Sequence, residues 1–552
     1  MPSLRASTRR VTGFLLTAPA ALLLLAAVYV AVGIFFVLTD YTLNNEGVLI
    51  HYYASWARRD FVPVFFFQRV HPVLCALFAP ISAGGARLTL VTHVVVAATT
   101  IPMMAATARS LGLRLPNLPA FVVALSPLYF LGGPAGFSNV DGVVGMVLVL
   151  YLLCVRRQAF AAGVVVGLLP WVRFELATFS AVMALYALAT ARARPMLLGM
   201  ALFPLAYAGA GVFYHQDVLW MARFPGSVPY DAGNPIYQNQ KIGLQYLLEP
   251  VVAVTPLAAL AAAVRLGRLE PLEIVLLAYA ALTAVMMNLL PIFHVANFGA
   301  MPRYLLHILP ALALLVGRVV ERWWEGEPPR AVVVLVTALL ALWVATRQLD
   351  GRATEILIGA YALVLALAWL RAGTLATVAA LALAAVGPLL PLRTEVTREA
   401  TARYLDPILA WLQAHPARGA DPIYTNGQLL ALFLERRLPR ADVHHMAGTD
   451  MARELTLLTN QDNGQRDRIR QLCAVDLYGR TVFPPLAPED LPSDALLALR
   501  EDVRLPLLLP PATWSSRLEM LFETPDCRIA RLRPAVAADG PGGWTSPDRA
   551  SP

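Results

Sequence analysis

Lysine is almost missing from this chain: Lys241 is the only one among 552 residues, so nearly all positive charge is arginine. Charge of either sign is scarce. Asp, Glu, Lys and Arg together make up 14% of the residues, against about a quarter in a soluble domain, which excludes an ordinary water-facing surface over most of the chain. Cysteine is limited to Cys75, Cys154, Cys473 and Cys527, with no metal-binding spacing. Cys75 and Cys154 fall in apolar segments and read as packing residues. Cys473 and Cys527 share the terminal region, where an extracytoplasmic setting would allow them to pair. No glycine-rich loop offers a nucleotide site, and no internal repeat is evident. No Asp-x-Asp cluster argues for a divalent metal, so no cofactor is assigned. The net charge is +8, yet the arginines form no patch. They sit at the ends of apolar runs in alternate loops, a pattern of membrane topology rather than of nucleic-acid binding.

What the chain has in abundance is apolar sequence, 58% of all residues. A spanning helix needs about 20 mostly apolar residues. The run from Val11 to Leu38 follows Arg5, Arg9 and Arg10 and reads as a retained first helix with a cytoplasmic N-terminus. Further spans are expected near 86–108, 119–131, 142–155, 158–171, 175–190, 195–213, 244–264, 271–290, 302–317, 331–346, 354–370 and 374–392. The fold class is therefore an all-α polytopic membrane bundle of about thirteen helices, occupying residues 1–392. Loops assigned to the cytoplasm carry Arg109, Arg114, Arg156, Arg157, Arg192 and Arg194. Asp40, Glu46, Asp60, Asp141, Asp217, Asp231 and Glu249 gather on or near the other face. Acids contribute little to topology, so their one-sidedness calls for a functional cause, and a site on the extracytoplasmic face is the simplest.

After Leu392 charged residues and prolines become common. Residues 393–534 read as a small extracytoplasmic α/β domain. Within it DPIYTNGQLLALFLERRLP suggests a strand, a turn and an amphipathic helix, and CRIARLRP a closing strand. Residues 535–552 have the Gly/Pro/Ser-rich composition of a disordered tail.

Polar residues concentrate between Asp40 and Pro72, behind the first apolar run. Glu46 could act as a general base beside a bound hydroxyl, or it is a solvated loop acid. Asp40 is a second candidate, or simply caps the loop at the membrane edge. Pro72 suits a first helical turn, which would place Arg69 and His71 at a helix entrance able to hold a phosphate; the plainer reading of His71 is structural. Asp141 precedes a span and is either a site acid or, like Asn139, a helix cap. Arg173 and Glu175 follow Pro170. Two residues apart, they cannot share a helix face, so they meet different partners or lie in a non-helical turn, with a structural ion pair as the alternative. Arg303 and Tyr304 open another span. An arginine at a helix N-terminus opposes the dipole, which points to an anionic partner such as a phosphate; His294 and His307 are weaker neighbours. The aromatic, polar loop from His215 to Gly243, which contains Lys241, reads as a lid or acceptor-binding loop, or as a connector lying on the membrane.

Together these segments resemble the GT-C class of polytopic glycosyltransferases, including protein O-mannosyltransferases and enzymes of the lipid A aminoarabinose transferase type. HPVL at 71–74 is similar to the mannosyltransferase HPPL, VRFE at 172–175 to an R-[YF]-E segment of bacterial members, and PRYLLHILPAL to their RY-to-P span. One departure is that the class commonly shows Asp-Glu in the first loop, where this chain has Asn45-Glu46. The resemblance implies transfer of a sugar from a polyprenyl-phosphate donor to a glycan, lipid or protein acceptor on the extracytoplasmic face, with inversion. It implies Glu46, Asp40 and Asp141 as the catalytic acids. Arg303, Tyr304, Arg69, His71, Arg173, Glu175 and Lys241 are then the substrate-binding set. The partners are the donor, the acceptor and membrane lipid, with no nucleic acid, and the setting is a bacterial inner membrane with the terminal domain in the periplasm. The alternatives are a lipid-linked glycan flippase or transporter, a polysaccharide polymerase or ligase, and a non-catalytic membrane scaffold.

Overall fold

The structure, a computed structural model, describes residues 13–42, 45–59, 61–66, 71–223, 270–292, 306–324 and 405–415. In the terminal region it describes 422–425, 430, 433–434, 437–438, 441–445, 494–500, 518–524 and 527–533. The chain divides into two compact units, Met1–Arg403 and Tyr404–Pro552. The composition change after Leu392 and the tail from 535 lie outside the described residues.

Among the described residues of the first unit, three helical stretches are long and apolar enough to cross a membrane: Pro19–Leu38, Ile81–Ser110 and Ala191–His215. The first begins with a proline at its first turn and, at 1.5 Å per residue, is about as long as a bilayer core is thick. Its flanks present Leu23, Leu24 and Phe35 outward, which water would penalise and lipid solvates. The span expected at 119–131 is instead two helices, Asn117–Leu125 and Leu128–Ala135, meeting at 63°. Pro127 disfavours a helical conformation at Ser126, which is extended at φ −60°, ψ 120°. Counted as one crossing, this bent pair would be a fourth. Ser138–Cys154, Ala159–Val172, Phe174–Ala189, Pro271–Thr283 and Leu306–Leu315 are shorter apolar helices over other expected segments. The segments expected at 244–264, 331–346, 354–370 and 374–392 lie outside the described residues, so the described chain falls short of thirteen spans.

Small residues let the bundle close. Gly163 and Gly167, one turn apart on the Ala159–Val172 helix, face the backbone carbonyls of Met196 and Met200, and Gly199 returns the contact to Phe160 and Gly163. Any side chain there would enter the neighbouring backbone, so the helix Pro195–His215 packs at glycine distance. Elsewhere two polar groups of the core are tied to backbone. Tyr129 donates to Ala97 O at 2.9 Å, and Asn117 donates to Leu15 O and Ala18 O at 3.0 and 2.9 Å.

Among its described residues the second unit has a helix, Asp406–Ala414, and five strands: β1 Ile423–Thr425, β2 Val443–His445, β3 Leu496–Arg500, β4 Leu518–Glu523 and β5 Cys527–Leu532. They form one mixed sheet of order β2-β1-β3-β5-β4. β1 runs parallel to β2 and β3, and β5 runs antiparallel to β3 and β4, with Leu497 opposite Ala530. Tyr424, Leu497, Leu499 and Leu532 are buried together. The strands expected at IYT and CRIARL are β1 and β5. Cys527 is buried in β5, while Cys473 lies outside the described residues.

Candidate functional site

The first candidate acid has a structural post. Asp40 takes a left-handed conformation, φ 54°, just past the end of the Pro19–Leu38 helix. Its N–H donates to Val37 O at 3.3 Å, and the Tyr41 N–H donates to Phe36 O at 2.9 Å. These are the two bonds that close a helix C-terminus in a Schellman motif, and Tyr41 stacks on Phe36 at 4.9 Å to complete it. The Asp40 carboxylate accepts from Arg87 at 3.4 Å. Asp40→Gly, which suits the left-handed backbone better and gives up an ion pair half open to solvent, is expected to change stability by less than about 1 kcal/mol. Thermal melting of the purified variant checks this, and a much larger loss would mean the carboxylate does more than end the helix.

Where the sequence suggested a loop after Asp40, the chain forms a helix, Asn45–Arg59. Gly47, Ile50, His51, Tyr53, Ala54 and Ala57 are its buried positions among the described side chains, which is helical spacing. His51 Nδ1 lies 3.0 Å from Thr89 Oγ1 on the Gly85–Ala98 helix. Glu46 is therefore in a first helical turn, not a loop. Gly47 next to it abuts the carbonyl of Ala135 and Gly136. Gly136 has φ 71°, and a Cβ there would stand 2.8 Å from the Cα of Gly47. This contact joins the Glu46 segment to the turn that leads into the Ser138–Cys154 helix, which carries Asp141.

Asp141 lies in the first turn of that helix, but neither it nor Asn139 caps it; the N-cap is Phe137, with no side-chain bond. Its Oδ2 is instead 3.2 Å from Nδ1 of His93 on the facing helix. His93 stacks on Phe78 with centroids 4.1 Å apart. Phe78 belongs to the Pro72–Phe78 helix, which starts with Pro72 in its first turn as expected. His71, before it, has φ 54°, and its Nδ1 reaches Val172 O at 2.9 Å.

Arg173 and Glu175 do not meet different partners: they pair with each other, and they do so in a non-helical turn. Arg173 is extended, φ −152°, ψ 134°, and Glu175 sits in the 3-10 turn Phe174–Leu176. The guanidinium donates through Nε and one Nη to the two carboxylate oxygens at 3.1 and 2.8 Å, and through the other Nη to Ser138 at 2.6 Å. Both side chains are buried. Asn139 Nδ2 lies 3.5 Å from His307 Nε2, and a Cβ on Gly142 would touch His307 at 3.0 Å. Polar groups of four segments, those of His93, Ser138 to Asp141, Arg173 to Glu175 and His307, thus converge near the start of the Asp141 helix.

Arg69, Lys241, Arg303, Tyr304 and His294 lie outside the described residues. The described start of the His215–Gly243 loop turns back on its helix: Trp220 packs over Gly211 and donates to Ala208 O at 3.1 Å. Sequence reading overlooked His93, a single histidine in an apolar run, and Ser138. Among the described residues no three metal-ligating side chains converge. At the far end of the bundle Arg318 joins Glu273 at 2.8 Å and Leu111 O at 2.6 Å, and Glu321 accepts from the Leu115 N–H at 2.9 Å.

No family model matches the chain, and no curated protein matches it. Two crystal structures of ArnT from Cupriavidus metallidurans do match by fold. With undecaprenyl phosphate bound, ArnT superposes at a TM-score of 0.55 and 14% identity over 93% of this chain and 98% of its own. In the apo state the TM-score is 0.52, at the same identity and coverage. The chain is thus similar to ArnT in polytopic fold along nearly its whole length, at a sequence identity too low to carry more than the fold.

Proposed function

We propose that this chain is an integral-membrane glycosyltransferase of GT-C type that moves a sugar from a polyprenyl-phosphate donor to an acceptor hydroxyl. The observation that carries the reading is the contact of Gly47 with Ala135 and Gly136, because it seats the Glu46 turn beside the Asp141 helix. The likeness in fold to ArnT, a protein crystallised with undecaprenyl phosphate, supports a polyprenyl-phosphate carrier. In this reading Glu46, assisted by Asp141, takes the proton of the acceptor hydroxyl. The oxygen bonds to the anomeric carbon as the bond from that carbon to the phosphate breaks, inverting the centre, and the phosphate leaves with the electron pair. Arg303, Tyr304, Arg69 and Lys241 hold the donor, and preorganised cations at the leaving phosphate supply much of the rate. The Arg173–Glu175 pair, with its charges already matched, is assigned to holding the site's shape. Asp40 is assigned to ending the first helix, and His71 to anchoring the Pro72 helix. The reaction is placed on the periplasmic face of a bacterial inner membrane, with residues 393–534 outside and available to select the acceptor.

The test is transfer of label from a panel of undecaprenyl-phosphate-linked sugars by the purified full chain. Glu46→Gln should lower the rate by about 10²- to 10⁴-fold, the usual contribution of a general base. Unimpaired transfer by that variant would sink the base assignment. Movement of the lipid across a bilayer with no new glycosidic bond would favour a flippase instead.

A further inference from the structure

Two turns of the chain lie side by side at the end of the bundle to which the arginine pattern assigns the cytoplasm. One, between the helices Ser138–Cys154 and Ala159–Val172, carries Arg156 and Arg157. The other, between Phe174–Ala189 and Pro195–His215, carries Arg192 and Arg194. The contacts of Gly163 with Met196 O and of Gly199 with Phe160 O fall in the first two turns of the helices that follow, so the two arginine pairs are held together by backbone packing. Asp141 is at the opposite end of the helix Ser138–Cys154, about 20 Å away at 1.5 Å per residue.

Both turns are tied by their own backbone. The Arg156 N–H donates to Tyr151 O at 3.1 Å and the Gln158 N–H to Leu152 O at 2.9 Å. In the 3-10 turn Ala191–Ala193 the Ala193 N–H donates to Thr190 O at 2.8 Å. Arg157 has φ 58°, a left-handed backbone that glycine takes with less strain, and strain of this kind gathers where a side chain binds something.

All four arginines are exposed, and none forms an ion pair with a described residue. Arg318, by contrast, is taken by Glu273 and Leu111 O. The acids within electrostatic reach of the helices that meet here are Glu273, through Cys154, and Glu270, through Tyr186. With Glu273 already matched, the patch keeps a positive excess. Within two turns of the arginines, Phe160, Leu185, Leu188 and Leu198 stand exposed, side chains that lipid solvates and water does not. A row of guanidinium groups above an apolar wall matches the section of a phospholipid, charge at the headgroup and acyl chains below. Topology asks for basic residues near helix ends; it does not ask for two pairs fixed side by side.

We propose that this patch binds an anionic phospholipid of the adjoining leaflet, one with two phosphates such as cardiolipin. One phosphate sits on Arg156 and Arg157, the other on Arg192 and Arg194, and the acyl chains lie over Phe160 and Leu198. Guanidinium grips phosphate oxygens in a two-pronged manner. The proposal requires that the chain sits in a membrane and stands apart from the transferase reading.

The experiment titrates the purified full chain, in a neutral detergent, with cardiolipin, phosphatidylglycerol or phosphatidylcholine, and reads the bound fraction by mass spectrometry of the intact complex. Wild type should hold one cardiolipin, with phosphatidylglycerol at least about fivefold weaker. Arg156→Gln/Arg157→Gln should weaken cardiolipin about thirtyfold, each arginine contributing about fivefold, and Arg192→Gln/Arg194→Gln should do the same. Arg109→Gln, at another loop on the same side, should change it by less than about twofold, since screening confines the effect of a distant charge. Cardiolipin bound no more tightly than phosphatidylcholine, or unchanged in both double variants, overturns the proposal. Equal binding of phosphatidylglycerol and cardiolipin overturns the two-phosphate assignment. If the variants do not fold, wild type in phosphatidylcholine vesicles doped with a photoreactive cardiolipin decides. Label should fall on residues 154–163 and 190–202, and label confined to other segments overturns the proposal. Neither readout uses sugar transfer, so loss of the transferase reading would not touch the result.

Discussion

Arg173→Met should cost the protein about 3–5 kcal/mol of stability, the usual consequence of leaving one buried charge without its partner. Glu175→Leu alone should do comparable damage. The double variant, Arg173→Met with Glu175→Leu, should recover most of the loss, because a buried ion pair exchanged for apolar side chains of similar size is often neutral or stabilising. The pairing is two-pronged, 3.1 and 2.8 Å, and both side chains lie within the bundle, so neither charge has water to turn to. The third donor complicates the recovery, since Arg173 also reaches Ser138 at 2.6 Å. A remaining deficit of about 1 kcal/mol from that bond is expected. Melting temperatures of the purified protein in detergent, with the monodisperse fraction from size exclusion, give the comparison. Equal damage in the double and single variants would show that the pair is held by more than its mutual charge.

Gly163→Leu and Gly199→Leu form the second large prediction. Each glycine faces backbone, not a movable side chain: Met196 O in one direction, Phe160 O in the other. A side chain at either site must push two helices apart. Overpacking of an ordinary core costs about 1–3 kcal/mol, and a backbone-to-backbone contact has less room to relax, so the upper end or more is expected. The Pro195–His215 helix carries Tyr207, which donates to Phe65 O at 2.8 Å. The displacement should therefore reach the segment just before the Pro72 helix. Little folded protein should be recovered from either variant, while Gly209→Leu on the same helix, where a Cβ would meet nothing, should express normally. Normal recovery of all three would mean that the helices can part freely.

Much of the fold was legible because its signals are long. Apolar runs of helical length stand out at low charge, and Pro72 and the strands IYT and CRIARL announce themselves locally. The polar stretch after Asp40 was misread for a physical reason. Its acids and arginines mask a stripe of Gly47, Ile50, His51, Ala54 and Ala57 that only the helical period reveals. The bend at Ser126 was also available in the sequence, through Pro127, as was the Gly163-x-x-x-Gly167 spacing. The site was half legible. Asp141 and the Glu46 segment could be suspected from sidedness, but their approach depends on two glycines, Gly47 and Gly136, that look unremarkable in a list of residues. His93 could not be paired from sequence, because its partner lies 48 positions away on another helix. For Arg173 and Glu175 the non-helical turn and the ion pair were both open in the sequence; what it could not show is that the two go together, the extended Arg173 leading into the 3-10 turn that holds Glu175.

That last arrangement also bears on how the protein is made. Most buried charges in a polytopic chain must wait for a partner contributed by a helix synthesised later. Arg173 and Glu175 leave the ribosome together, one residue apart, and can close on each other before any neighbouring helix is in place. The segment from Pro170 onward can therefore enter the bilayer as an electrically neutral unit during translation. Two full charges on a short apolar hairpin need not stop its insertion.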